Sequence, residues 1–144
     1  MIVSRTETIH LKYDDRLSRL CHISKNLYNQ ANYIIRQNWL NGYGYTKYQK
    51  VNEELKGTEN YSILPSQTAQ QTLKMVDRNW KSFFNSLKDY KINPHKYEGK
   101  PKPPNYKKKD GEFLLIFTSQ QLTRVIKNNY LKFPKKLGLK SKQD

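Results

Sequence analysis

Cysteine is nearly absent from this chain. Cys21 stands alone among 144 residues, which excludes an internal disulfide framework and a Cys-rich zinc site. It is expected to pack as a small apolar side chain. The three histidines, His10, His22 and His95, show no metal-ligand spacing. No apolar run approaches the ~20 residues of a membrane span, and the N-terminal residues lack the apolar stretch of a signal peptide. A cytoplasmic setting with no membrane partner is the expectation. Glycine-rich phosphate loops are missing too, since Gly42-Tyr43-Gly44 reads as a helix stop. No carboxylate cluster suggests a two-metal site. Asp14-Asp15 and Glu53-Glu54 have simple readings as a cap and a solvated face. With no Ser, His and acid arrangement either, no catalytic residue and no metal ligand can be named, and the residues point to a binder rather than a catalyst.

Acid is also scarce. Twelve Asp and Glu face 27 Lys and Arg, leaving a formal charge of +15. Such an excess repels itself in a compact fold, and a polyanion that trades counterions for lysines relieves it. Interleaved Tyr, Asn and Gln strengthen that reading, with nucleic acid as the partner. Hydrophobic residues make up 35%, below the usual roughly 45–50%. Aromatics reach 12%, which is too rich for a disordered chain.

Residues 2–13 alternate, with Val3, Arg5, Glu7, Ile9, Leu11 and Tyr13 on one face, and predict a half-buried strand. Asp14 and Asp15 supply a cap for a helix that runs to about Leu40 and stops at Gly42 and Gly44. A shorter helix is predicted over 45–56, capped by Thr46 and ended by Gly57. Residues 58–65 read as a loop. Ser66 is the expected cap of a long helix reaching about Tyr90, with Ala69, Leu73, Val76, Trp80, Phe83, Phe84 and Leu87 on its apolar face. Lys74, Arg78, Lys81 and Lys88 sit largely off that face. Residues 94–110 hold four Pro and six Lys and read as an extended basic arm. FLLIFT (113–118) reads as a strand, and residues 122–127 and 130–133 as a hairpin around Asn128-Asn129.

Two features suit nucleic acid. Lys100, Lys102, Lys107, Lys108 and Lys109 of the arm can neutralise phosphates, with Tyr97 and Tyr106 offering rings to unstacked bases; a solvated linker is the plain alternative. SQTAQQTLK opens the long helix with Ser66, Gln67, Gln70 and Gln71, and Gln can bond an adenine edge in the major groove. Its plain alternative is that Gln is a good helix former on a surface.

LPSQTAQQTLKMVDRNWKSFF, then KPKPPNYKKK, then NNYLKFPKKLGLK together resemble the N-terminal half of TnpB, the RNA-guided nuclease family of IS200/IS605-type transposons. The resemblance covers nearly the whole chain, in the family's order. It implies an α+β fold, with about three helices (14–93) inserted into a small antiparallel β-barrel-like wedge module built from 1–13 and 94–144. It implies binding of a structured guide RNA and of a short motif beside the double-stranded DNA target. Tyr48, Ser66, Gln67, Gln70, Lys74 and Thr118 are then the motif-reading candidates. Arg78, Lys81, Lys100, Lys102, Tyr106, Lys107, Lys108 and Lys109 are the RNA- or phosphate-binding ones. The family's RuvC-like nuclease and zinc ribbon are not in this sequence. Cleavage by this chain alone is therefore not expected, no cofactor is expected in it, and a divalent metal belongs only with a RuvC-bearing remainder. The competing readings are a stand-alone helix-turn-helix DNA-binding regulator without RNA, and a basic module that docks an acidic protein.

Overall fold

In the computed structural model the described residues are Thr6, Thr8, 10–118, Gln121, 123–125, 130–132 and 142–143, with side chains as far as Thr118 and at Gln121. Four helices carry the fold: α1 (Asp15–Leu40), α2 (Tyr48–Leu55), α3 (Glu59–Ile63) and α4 (Ser66–Ile92), followed by a 3-10 turn at Pro94–Lys96. The Asp14 carboxylate accepts from the backbone N–H groups of Arg16 and Leu17 and so satisfies two of the orphan donors of α1. Gly42 and Gly44 take φ of +81° and +82°, which lets the chain reverse after α1.

The capping expectations for the later helices need correction. Thr46 does not cap α2. It is buried, and its hydroxyl accepts from Asn38 Nδ2 at 2.7 Å, while Lys47 occupies the cap position. Ser66 is the first residue of α4, preceded by Pro65, whose carbonyl accepts from the Ala69 N–H at 3.0 Å. The segment expected as a loop contains α3, a single helical turn with buried Tyr61, whose hydroxyl donates to Asn52 Oδ1 of α2.

α1 and α4 form the backbone of the core. Ser24 bonds Thr72 at 3.0 Å, Asn79 Nδ2 donates to the Tyr28 hydroxyl at 2.7 Å, and Trp80 Nε1 donates to Asn32 Oδ1 at 2.8 Å. These contacts advance together along both helices, so the two run parallel. A parallel pair needs a return connection as long as the helices, and α2 and α3 ride on it. Leu27, Tyr28, Ala31 and Ile35 of α1 meet Ala69, Leu73, Val76 and Trp80 of α4, all at most 2% exposed. Trp39 closes the far end against Trp80 and Phe83, with ring centroids 5.7 and 5.5 Å away in edge-to-face arrangements.

The α+β expectation is overturned: the fold is helical, and no barrel module exists among the described residues. Thr6, Thr8 and residues 10–13 form no ladder, and Tyr13, expected on a buried face, is 79% exposed. Leu11 of that face is 39% exposed, and Val3, Arg5, Glu7 and Ile9 lie outside the described residues. Residues 113–118 are extended but pair with no strand. Their partner is a helix: the Phe113 N–H donates to the Cys21 carbonyl at 3.0 Å, and Ser24 Oγ donates to the Leu114 carbonyl at 2.8 Å. The ladders that are described are two- and three-residue antiparallel segments, β1 (Thr123–Val125), β2 (Tyr130–Lys132) and β3 (Lys142–Gln143). They place Val125 opposite Tyr130, whereas a two-residue turn at Asn128-Asn129 would place Lys127 there. Asn128 and Asn129 themselves lie outside the described residues.

Candidate nucleic-acid interface

The basic arm is not free. Residues 104–114 form a strap laid antiparallel along α1 and held by side chains of that helix. Asn32 Nδ2 and Arg36 Nη1 both donate to the Pro104 carbonyl at 3.1 Å. One turn earlier Asn29 makes a paired contact with Lys107, donating to its carbonyl at 3.0 Å and accepting from its N–H at 2.8 Å. An asparagine amide thus satisfies the strap as a neighbouring strand would. Earlier still, the buried Lys25 ammonium donates to the Lys109 carbonyl. The prolines fit this arrangement, since they lack N–H groups that would need partners.

Docking sorts the arm's candidate cations. Lys100, Lys102, Lys108 and Lys109 are exposed. Lys107 is half-buried, with its ammonium over the rings of Tyr28 and Phe113, 4.9 and 5.2 Å from their centroids. Tyr106 remains 43% exposed beneath the Arg36 guanidinium, which lies 5.6 Å from its centroid. Tyr97 turns back on the protein and donates to Asp89 Oδ2.

The second cationic element is α4. Lys74, Arg78, Lys81 and Lys88 fall within a narrow sector of a 3.6-residue helix, opposite the buried Ala69, Leu73, Val76 and Trp80, and all four are exposed. Lys74 and Lys88 are 14 positions apart, so at 1.5 Å per residue they span about 21 Å. The two carboxylates of α4 are both engaged within the protein. Asp77 holds Lys81 at 2.9 Å and accepts from the Tyr45 hydroxyl. Burial, followed by the bond to Asp77, raises the Tyr45 phenol well above its ordinary range, so it stays a donor. Asp89 is occupied by Tyr97, Asn93 and Lys96. Lys74 leans over the Tyr48 ring, 5.5 Å from its centroid.

Cations also border α4 on both flanks. Lys47 and Tyr48 share a cleft with Lys74 and Lys81 on the α2 side. Lys102, just before the strap, shares another with Ser82 and Ser86 on the α1 side. The positive surface therefore runs from the start of α2 across α4 to the strap, while Glu53 and Glu54 lie exposed on α2 and Glu59 on α3.

Of the motif-reading candidates, Tyr48 and Lys74 meet, as do Gln67 and Thr118, whose hydroxyl donates to Gln67 Oε1. Gln121 ties that corner further, accepting from the Thr118 N–H at 2.8 Å and donating to Thr68 Oγ1 at 3.0 Å. Ser66 is exposed and Gln70 half-buried at the start of α4. The sequence reading missed Asn29, Asn32 and Arg36, which fix the strap. Their signal was Asn26, Asn29 and Asn32 recurring every three residues beside the apolar stripe of α1. Among the described residues no group of three His, Cys, Asp or Glu could hold a metal ion, and no helix is long and apolar enough to cross a membrane. Comparison with protein-family models, curated proteins and solved structures gave no match.

Proposed function

We propose that this chain binds nucleic acid, gripping phosphates along the exposed face of α4 and the docked strap. The observation that carries the reading is the alignment of Lys74, Arg78, Lys81 and Lys88 on one exposed helix face, where Asp77 is paired with Lys81 and Asp89 is held by Tyr97. Lys and Arg contacts supply affinity, and polar groups at the start of α4, Ser66 and Gln70 with Gln67 beside them, supply selectivity. The resemblance to TnpB narrows the proposal to a guide RNA and to a short motif on duplex DNA beside a target. In that arrangement base pairing reads the target and the protein reads the motif and the backbone. Any cleavage would come from a RuvC-bearing remainder or partner. Such a protein works in the cytoplasm.

The test is a salt titration of binding to a structured RNA hairpin and to duplex DNA, with wild type and the triple variant Lys74→Ala, Arg78→Ala, Lys88→Ala. Each phosphate contact removed should flatten the dependence of log affinity on log salt by about 1 unit, so the variant should lose about 2–3. A flat response in the wild type, or an unchanged slope in the variant, would overturn the proposal. A second reading has one observation in its favour: α4 is a single 27-residue helix with its polar face outward, suited to a major groove without RNA. Sequencing of the nucleic acid that copurifies separates the two, since a regulator would carry no structured RNA.

A further inference from the structure

On the side of α1 away from α4, a cleft of about 570 Å³ opens between α1, α3 and the strap. Its volume falls in the roughly 300–1,000 Å³ range of small-ligand sites. Two tyrosines line it, Tyr33 from α1 and Tyr106 from the strap, and they are 57% and 43% exposed. Among the described residues their rings do not pack on each other. Two large aromatic faces are thus presented to one opening.

Amides of Asn26, Gln30 and Asn60 line it beside Ile34 and Leu55. Asn26 Nδ2 donates to Asn60 Oδ1 at 3.5 Å, and Asn60 Nδ2 donates to Gln30 Oε1 at 3.2 Å. This relay sets the orientation of both α1 amides. Gln30 spends its oxygen on Asn60, which leaves its NH2 group as a donor. Asn26 spends an N–H, which leaves its oxygen as an acceptor. The two positions are one helical turn apart and on one face. A donor beside an acceptor is what the Watson–Crick edge of every unpaired base can match, and such edges are read in single strands.

Resting on the proposed function, we infer that this cleft holds one unstacked nucleobase of a single strand. The base stacks on Tyr33 or Tyr106 and its edge meets Gln30 and Asn26. Charge on the strap side favours a polyanion over a peptide or a neutral ligand: Arg36 sits on Tyr106 at the rim, and Lys108 and Lys109 follow on the strap, both exposed, while Glu59 lies exposed on the α3 side. A base stacked on an aromatic side chain is held sequence-tolerantly. The cleft therefore adds affinity for single strands that a duplex, with its bases stacked inside, cannot use.

The test compares Tyr33→Ala and Tyr33→Trp with wild type by fluorescence anisotropy, on a short single-stranded RNA and on a duplex of the same length. Tyr33 is mostly exposed, so its loss leaves the core intact. Tyr33→Trp keeps a stacking face and provides a variant whose binding should survive. Tyr33→Ala should weaken single-strand binding by about 5- to 150-fold, with an unchanged salt slope and unchanged duplex binding. Equal weakening on the duplex, or no weakening on the single strand, overturns the inference while leaving the phosphate-gripping reading standing. Wild type binding neither polymer would overturn both. Adenosine monophosphate competing as strongly as the oligonucleotide would also overturn it, by assigning the cleft to free nucleotides.

Discussion

Replacing Asn32 with alanine tests whether the strap is a structural part of the fold. Asn32 is fully buried, accepts from Trp80 Nε1 at 2.8 Å and donates to the Pro104 carbonyl at 3.1 Å. A buried polar group stranded by loss of its partner costs about 1–3 kcal/mol. The Trp80 indole, itself 0% exposed, bears that cost in full. The Pro104 carbonyl keeps Arg36 as a donor and bears less. The sum is about 2–4 kcal/mol, a large share of the 5–15 kcal/mol typical of a domain. For a chain of this size, that loss lowers Tm by roughly 6–15 °C. Urea unfolding followed by tryptophan fluorescence measures the loss. Tryptic cleavage after Lys107, Lys108 and Lys109 should accelerate in parallel, because the strap loses a tether. An Asn32→Ala protein that unfolds within about 0.5 kcal/mol of wild type, the range of neutral surface changes, with its strap equally protected, would refute the docking argument.

Two further perturbations probe the same framework. Trp80→Ala should cost about 3–5 kcal/mol in urea unfolding, since the ring is fully buried among Trp39, Phe83 and Phe84; a loss under about 1 kcal/mol would mean that the aromatic cluster is not the core. The Tyr97 hydroxyl bond is the largest influence holding the Asp89 carboxyl below its ordinary value, ahead of Asn93 and Lys96. The depressed value means that the contribution of Asp89 to stability is present above the ordinary carboxylate range and lost as pH falls through the depressed value. Tyr97→Phe should move the titration of Asp89 upward in an NMR pH series, and an unmoved titration would contradict that ranking.

Helical periodicity carried most of what the sequence made legible. The stripes that place Leu27, Ala31 and Ile35 on one side of α1 and Leu73, Val76 and Trp80 on one side of α4 depend only on local spacing, and so does the outward sector holding Lys74, Arg78, Lys81 and Lys88. α3 was illegible because one turn is too short to show a period. The β-barrel expectation failed for a different reason. Alternation and apolar runs report that a segment is extended and half-buried, not that another strand covers it. Residues 113–118 satisfy the same pattern against α1, with Phe113 stacked near Tyr28 at 4.8 Å and its N–H on the Cys21 carbonyl.

The candidate site divides along the same line. Which lysines of α4 are exposed follows from spacing, but the fate of the Pro/Lys segment depends on Asn29, Asn32 and Arg36, separated from it by 68–78 positions. Composition alone described a free arm. A free arm loses about 1–2 kcal/mol of backbone entropy for each residue it orders on a partner. In the strap that ordering has already occurred on folding, through bonds that leave Lys108 and Lys109 exposed. The same docking withdraws Lys107, whose ammonium is committed to Tyr28 and Phe113. Docking therefore takes one cation out of the exposed set and gives the others a fixed geometry. It also fixes Tyr106 at the rim of the amide-lined cleft, a place that a mobile arm would not hold. On the proposed function, a polyanion would meet a preformed surface, which lowers the entropic cost of binding and makes single-strand affinity depend on the integrity of α1.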